Sequence, residues 1–371
     1  MAEIGAGLRA NNSYEVLETG GRENRRMKPT RETVRSRPLA RQGFPIRLPR
    51  EFLTVVASTI ALIFLCRLIA PSSVTYGSLA GSLPFTAILA IVGLGQMLVV
   101  QQGGFDLSVP GGVSLAVVIS THVPAGNDAD LLPALLMAVC CAVAAGVANG
   151  ILVGLARLNA IVATIGVNAL LYGGVFAVSG GIPRSRTPLL AAIASGEKLG
   201  LANTVYFALV ILLVVSFIMK MTVVGRRFEA IGANPLGARA IGLHVRLYQM
   251  MAYVYAQLLY CVSGILLAGL TSQPTAFQGD SLLLPSVAVV VLGGTSLIGG
   301  RGFPFSTVIA AFFLNQLSQF ALAIGVPYSA QTIIQALALG FGIAVYSFRR
   351  TNKAKKPINL KEEEKHEAII S

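Results

Sequence analysis

Two carboxylates stand out in a chain whose apolar runs leave little room for charge. Asp106 lies within Gly103-Gly104-Phe105-Asp106-Leu107-Ser108-Val109-Pro110, and Asp280 precedes a run of leucines and valines. An ionisable side chain near a bilayer marks a pathway or relay by default. Neither has a second carboxylate or a histidine beside it in sequence, so paired acid–base work is not indicated. Asp106 also fits a plainer task, capping a helix whose first turn holds Pro110. A broken helix with its polar end on a pathway accommodates both readings. The four cysteines, Cys66, Cys140, Cys141 and Cys261, lie in apolar runs and read as small buried hydrophobes rather than a disulfide frame. The three histidines, His122, His244 and His366, lie too far apart for ligand spacing, so no metal centre is expected. The chain has no Gly-x-x-x-x-Gly-Lys-Ser/Thr phosphate loop, no His-Glu-x-x-His and no Gly-x-Ser-x-Gly elbow. It is therefore not expected to be an enzyme or to hold a cofactor.

The other polar feature is an island at 225–246, with Arg226, Arg227, Arg239 and Arg246 inside it and Lys220 just before. It contains a compact helix recipe. Asn234 can N-cap, Pro235 suits the first helical position, and Gly242 can close the C-terminus. Such a capped, basic element is either a docking surface for something in the cytoplasm or an ordinary positive-inside loop with a helical turn.

These residues must be positioned by helices in a membrane. Of the 371 residues, 54% are hydrophobic and 12% charged, against ~25% charged in a soluble domain. Several runs approach the ~20 apolar residues of one helical crossing. The chain is expected to be an all-α polytopic membrane protein of about ten transmembrane helices, at 52–70, 79–100, the run to 122, 131–155, 160–178, 203–219, 248–270, 282–294, 305–324 and 328–348. The loop 271–281 is expected outside. The net charge of +13 gathers in the first fifty residues, the island and the C-terminal tail. That is the distribution of a positive-inside protein with both termini cytoplasmic, attracted to anionic lipid rather than nucleic acid. Residues 1–50 read as a basic, disordered tail without a cleavable signal. Residues 51–348 form the membrane domain, with the island loop at about 223–247, and 349–371 a charged tail.

If such a chain performs active transport, the work comes from a partner subunit or from an ion gradient. The scarcity of ionisable residues within the spans argues against a gradient-driven carrier, and the capped island argues for a partner.

Several separated motifs give the chain a family resemblance. Gly103-Gly104-Phe105-Asp106-Leu107-Ser108-Val109 is similar to a G-G-I/F-D-L-S-V signature. Residues 159–166, the island from Gly225 to Gly242, 272–276 and 292–302 follow in family order. Together they resemble the permease subunit of ribose-type ABC importers, the inner-membrane component of binding-protein-dependent sugar uptake. The resemblance implies a translocation path for a monosaccharide or related polyol, with nucleosides or branched-chain amino acids as the alternative cargo. It implies ATP hydrolysis on separate ABC ATPase subunits, a periplasmic or extracellular solute-binding protein, and a second permease copy, identical or paralogous. The island becomes the ATPase-coupling loop, with Glu229, Ala230, Gly232, Asn234, Pro235, Arg239 and Gly242 as its residues. Asp106, Ser108, Thr164, Asn168, Gln273 and Asp280 are the candidates for the translocation path. Two positions depart from the family pattern. Pro110 stands where glycine is usual, and Leu283 and Pro285 replace an acidic pair before the eighth span.

Overall fold

The computed structural model describes residues 50–327 and scattered positions between 330 and 340. The tails and most of the expected span at 328–348 lie outside the described residues. Within them the order is α1 (Arg50–Ile69), α2 (Tyr76–Gln101), α3 (Val109–His122), α4 (Leu131–Gly150) and α5 (Ala160–Ser179). Then come α6 (Pro188–Ser195), a hairpin of β1 (Glu197–Lys198) and β2 (Leu201–Ala202), and α7 (Asn203–Met221). The island forms α8 (Val223–Ala233) and α9 (Pro235–Ala240), followed by α10 (Val245–Leu270), α11 (Leu283–Leu292) and α12 (Pro304–Ala323).

Among the described residues seven helices are long and apolar enough to cross a membrane. Two of the expected spans are shorter. α3 has 14 residues and α11 has 10, which at ~1.5 Å per residue makes them ~21 and ~15 Å long against a hydrocarbon core of ~30 Å. Gly103–Ser108 runs non-helically into α3, and a single 3₁₀ turn, Gln278–Leu282, leads into α11. The segment 179–202, expected as plain loop, holds α6 and the hairpin. Tyr206 and Tyr76 pin that hairpin by donating to the Lys198 and Gly200 carbonyls.

α2 and α10 are the centre of the bundle. α10 packs on α4, α2 and α3, while α2 also meets α12, α11 and α7. α2 is apolar all round, as a fully enclosed helix should be, and Ile88 to Val100 are buried without a break. The outer helices bury one stripe only. In α1 the buried residues are Val55, Thr59, Leu62 and Cys66, at helical spacing, while Ile60, Phe64 and Leu68 face outward.

Without a hydrophobic drive between helices in lipid, close backbone approach supplies the packing. The α4–α10 seam is built this way from Ala138, Ala142, Ala145, Gly146 and Gly150. A β-carbon on Gly146 would stand 2.6 Å from the Val254 Cα, so no side-chain motion could make room. Gly146→Leu is expected to remove the monodisperse peak in detergent size-exclusion, since overpacking of ~1–3 kcal/mol falls on backbone here. Gly166→Leu, where nothing lies within 4 Å, should leave the profile unchanged.

Candidate functional site

The sequence around Asp106 breaks the helical run. α2 ends at Gln101, Gly103 takes a φ of 77°, and the chain turns into α3. Asp106 and Ser108 are fully buried. The Asp106 carboxyl accepts the Ser108 backbone N–H at 2.9 Å and the Ser108 hydroxyl. The Ser108 oxygen in turn accepts from Asn149 on α4 at 2.8 Å and Gln257 on α10 at 2.7 Å. Gln257 also reaches the second Asp106 oxygen at 3.5 Å. One serine oxygen thus ties the broken segment to two spans. Asp106 shapes the turn before α3 rather than capping the helix itself, whose N-cap residue is Ser108. Its carboxyl bonds two residues on, as Asp does in turns.

α5 holds the other side of the break. Thr164 accepts the Leu107 N–H at 3.0 Å, and Asn168, one turn later, accepts the Gly111 N–H at 2.8 Å. Another turn along, the Tyr172 hydroxyl donates to Asp280. The expected outside loop around Asp280 therefore runs beside the middle of α3 and α5. Gly279 makes this possible. Its N–H donates to Ser114 at 3.0 Å, and a β-carbon there would lie 2.3 Å from the Pro110 carbonyl. Phe277 stands edge-on to Tyr172, with centroids 5.4 Å apart, and lies 5.1 Å from Phe176.

The path candidates thus fall into two groups joined by α5. Asp106, Ser108 and Thr164 are buried, whereas Asn168 is half-buried and Asp280 exposed. Gln273 belongs to neither and bonds to Ser185 at 3.4 Å. Sequence reasoning missed Asn149 and Gln257 and gave Tyr172 no role. The available signal was a polar residue in mid-span, where hydrocarbon penalises it unless it is paired.

The island carries its own chemistry. Asn234 caps α9 by accepting the Gly237 N–H at 3.0 Å, with Pro235 at the first helical position. Gly242, at φ 82°, ends the turn. α8 buries Gly225, Phe228, Ile231 and Gly232. Ile231, Ala238 and Val245 then form a small core under α9. Leu236 and Ile241 are 77% and 75% exposed, with Arg239 beside them on the surface. Ala230 is exposed, whereas Glu229 is half-buried and pairs with Lys220 at 3.6 Å.

Beneath this element lies a seam of bare backbone. The Gly300 N–H donates to the Gln101 carbonyl at 2.8 Å, and the Gln101 side chain donates back to the Gly300 carbonyl at 3.2 Å. Gly232 sits on that pair. A β-carbon there would come 2.0 Å from the Gln101 oxygen and 2.8 Å from the Gly300 nitrogen. Gln102 adds a bond to the Phe228 carbonyl at 2.9 Å. The island is thereby keyed to the end of α2 and to the loop between α11 and α12.

Residues 78–341 match the family described as the branched-chain amino acid transport system / permease component. The chain is 30% identical over 309 residues to the probable ABC transporter permease protein y4mJ of Sinorhizobium fredii, covering 82% of this chain and 91% of the relative. It is 30% identical over 298 residues to the ribose import permease protein RbsC of Escherichia coli K12, covering 78% and 92%. It is 31% identical over 285 residues to the autoinducer 2 import system permease protein LsrC of Enterobacter sp. 638, covering 75% and 81%. No solved structure matches the chain.

Proposed function

The chain belongs to the permease-component family of the branched-chain amino acid transport systems, and from that premise we propose that it is the membrane-spanning subunit of an ABC importer for a monosaccharide or related polyol. It is a multi-pass inner-membrane transport component and not an enzyme. Under the proposal ATP is hydrolysed on separate ATPase subunits that dock on the cytoplasmic face of α8 and α9. A solute-binding protein delivers cargo at the opposite end, a second permease copy completes the path, and lipid covers the outward faces of α1, α4 and α7. Asp106, Ser108, Thr164, Asn168, Gln273 and Asp280 are assigned to the path and its supports. Glu229, Ala230, Gly232, Asn234, Pro235, Arg239 and Gly242 are assigned to coupling, the last six shaping or presenting α9 and its seat.

The observation that carries this reading is the island's construction. A capped helix presents Leu236 and Ile241 to solvent, and exposed apolar side chains grouped on one small element suit a protein partner. The same element is keyed through Gly232 to the end of α2, so a push on α9 reaches the broken helix at Asp106. The choice of a neutral sugar over a branched-chain amino acid draws support from the ribose and autoinducer 2 permeases among the relatives.

The test uses the permease expressed with the ATPase encoded beside it. Leu236→Asp with Ile241→Asp is expected to lower ATPase co-purification by at least ~100-fold, two apolar anchors of ~1.5–3 kcal/mol each being lost from the docked interface. The size-exclusion profile should not change. Undiminished co-purification, or uptake in energised vesicles lacking any ATPase, would sink the reading.

A further inference from the structure

We infer that Asp280, Tyr172 and Asn168, with the rings of Phe277 and Phe176, form a contact site for a neutral polyhydroxylated solute on the wall of the translocation path. This rests on the importer reading above and adds to it a place and a chemistry for the cargo.

Depth comes first. Tyr172 stands two to three residues past the midpoint of the 20-residue α5, or ~4 Å along its axis. Asp280 bonds to it and so lies level with the middle of a membrane-crossing helix. Its side chain is nevertheless exposed on the surface of this chain. An ionisable group at that depth facing lipid is disfavoured, and such groups face a water-filled pathway or a protein neighbour. The segment is not a loop that happens to sag. The Gly279 N–H is fixed to Ser114, and the Gly279 backbone lies against the Pro110 carbonyl, which holds Asp280 at one height against α3.

Chemistry follows from the side chains present. A carboxyl has more acceptor sites than the one hydroxyl it receives from Tyr172, and the Asn168 amide, whose oxygen serves Gly111 and whose NH₂ reaches the Tyr172 hydroxyl, carries a second N–H donor. Acceptors and donors beside aromatic rings match a sugar ring, whose edge carries hydroxyls and whose face is C–H. No Lys or Arg occurs in Val109–His122, in Ala160–Ser179 or in 271–300. These segments therefore offer no lysine or arginine to a carboxylate or phosphate, which sets the site apart from one built for an amino acid or a sugar phosphate.

The experiment is done on the assembled importer in membrane vesicles. Asp280→Cys is treated with a water-soluble cationic methanethiosulfonate and compared with the wild type, whose own thiols set the background. Labelling on the order of ten-fold faster than background is expected for a water-facing position. Labelling no faster than background overturns the placement. In parallel, uptake of D-ribose, D-glucose and L-leucine is measured for wild type, Asp280→Asn and Tyr172→Phe. Both variants are expected to retain ATPase co-purification and to lower sugar uptake on the order of ten-fold, the loss of one hydrogen bond to a charged group. Wild-type sugar uptake in both variants overturns the inference while the importer reading stands, and uptake of leucine and neither sugar overturns the inference together with the sugar cargo, leaving the ATPase-driven importer. A wild-type chain that fails to bring down its ATPase marks failure of the importer reading instead.

Discussion

Gly232→Val is expected to abolish uptake while the ATPase subunit still co-purifies. The β-carbon would fall 2.0 Å from the Gln101 carbonyl oxygen and 2.8 Å from the Gly300 nitrogen. Both neighbours are backbone, and both are already engaged with each other. Relief therefore requires α8 to lift from the end of α2. Overpacking of this kind carries ~1–3 kcal/mol. With no flexible side chain to yield, the upper end applies, and uptake should drop on the order of 100-fold. Leu236 on α9 and Ile241 at its C-cap are exposed, away from the buried seam, so docking survives. The informative readout is ATPase rate with and without loaded binding protein: stimulation should vanish while the basal rate persists. If Gly232→Val also lost the ATPase, the seam would be a support for the island and not its link to the membrane.

Asp106→Ala is expected to produce the largest loss of stability among single substitutions of polar residues. The Ser108 N–H and the Ser108 hydroxyl would lose their acceptor in a fully buried setting, while Gln257 would lose its longer contact at 3.5 Å and keep Ser108. Each such group costs ~1–3 kcal/mol unpaired, and shared partners make the sum less than additive. A loss of ~3 kcal/mol follows. Asp106→Asn keeps one oxygen for Ser108 and should lose ~1 kcal/mol. The chain has no tryptophan, so unfolding is best followed by a thiol-reactive dye. Cys66 and Cys261 are 0% and 1% exposed and report the core, while the exposed Cys140 sets the starting signal. Equal melting of Asp106→Ala and the wild type would show that the knot is not holding the break in place.

Local chemistry was legible in the sequence, and meetings between distant segments were not. The long spans were readable because length and apolarity alone define them. The caps of α9 were readable because Asn234, Pro235 and Gly242 act on neighbours a few residues away. α3 and α11 looked like full spans because a half-helix is as apolar as a whole one. Only the position of the break, at Gly103–Ser108 and at 278–282, separates the two. The packing of the Asp280 loop beside α3 and α5 was not legible for a related reason: nothing local announces that Gly279 will let the backbone lie on Pro110. The Gly232 seam was invisible as a contact because its partners come from two other parts of the chain.

The enclosure of α2 also sets an order of events during synthesis. This helix is the second to leave the ribosome, yet its polar side chains wait for partners made much later. The Gln96 oxygen accepts the Tyr260 hydroxyl at 2.8 Å, and Gln101 bonds to Gly300 across 199 residues of chain. Until α10 and the loop before α12 arrive, α2 has only α7 of its main neighbours, and Gln96 and Gln101 lack these partners. A nascent chain halted before residue 245 thus lacks α10, α11 and α12, and leaves much of its core helix uncovered.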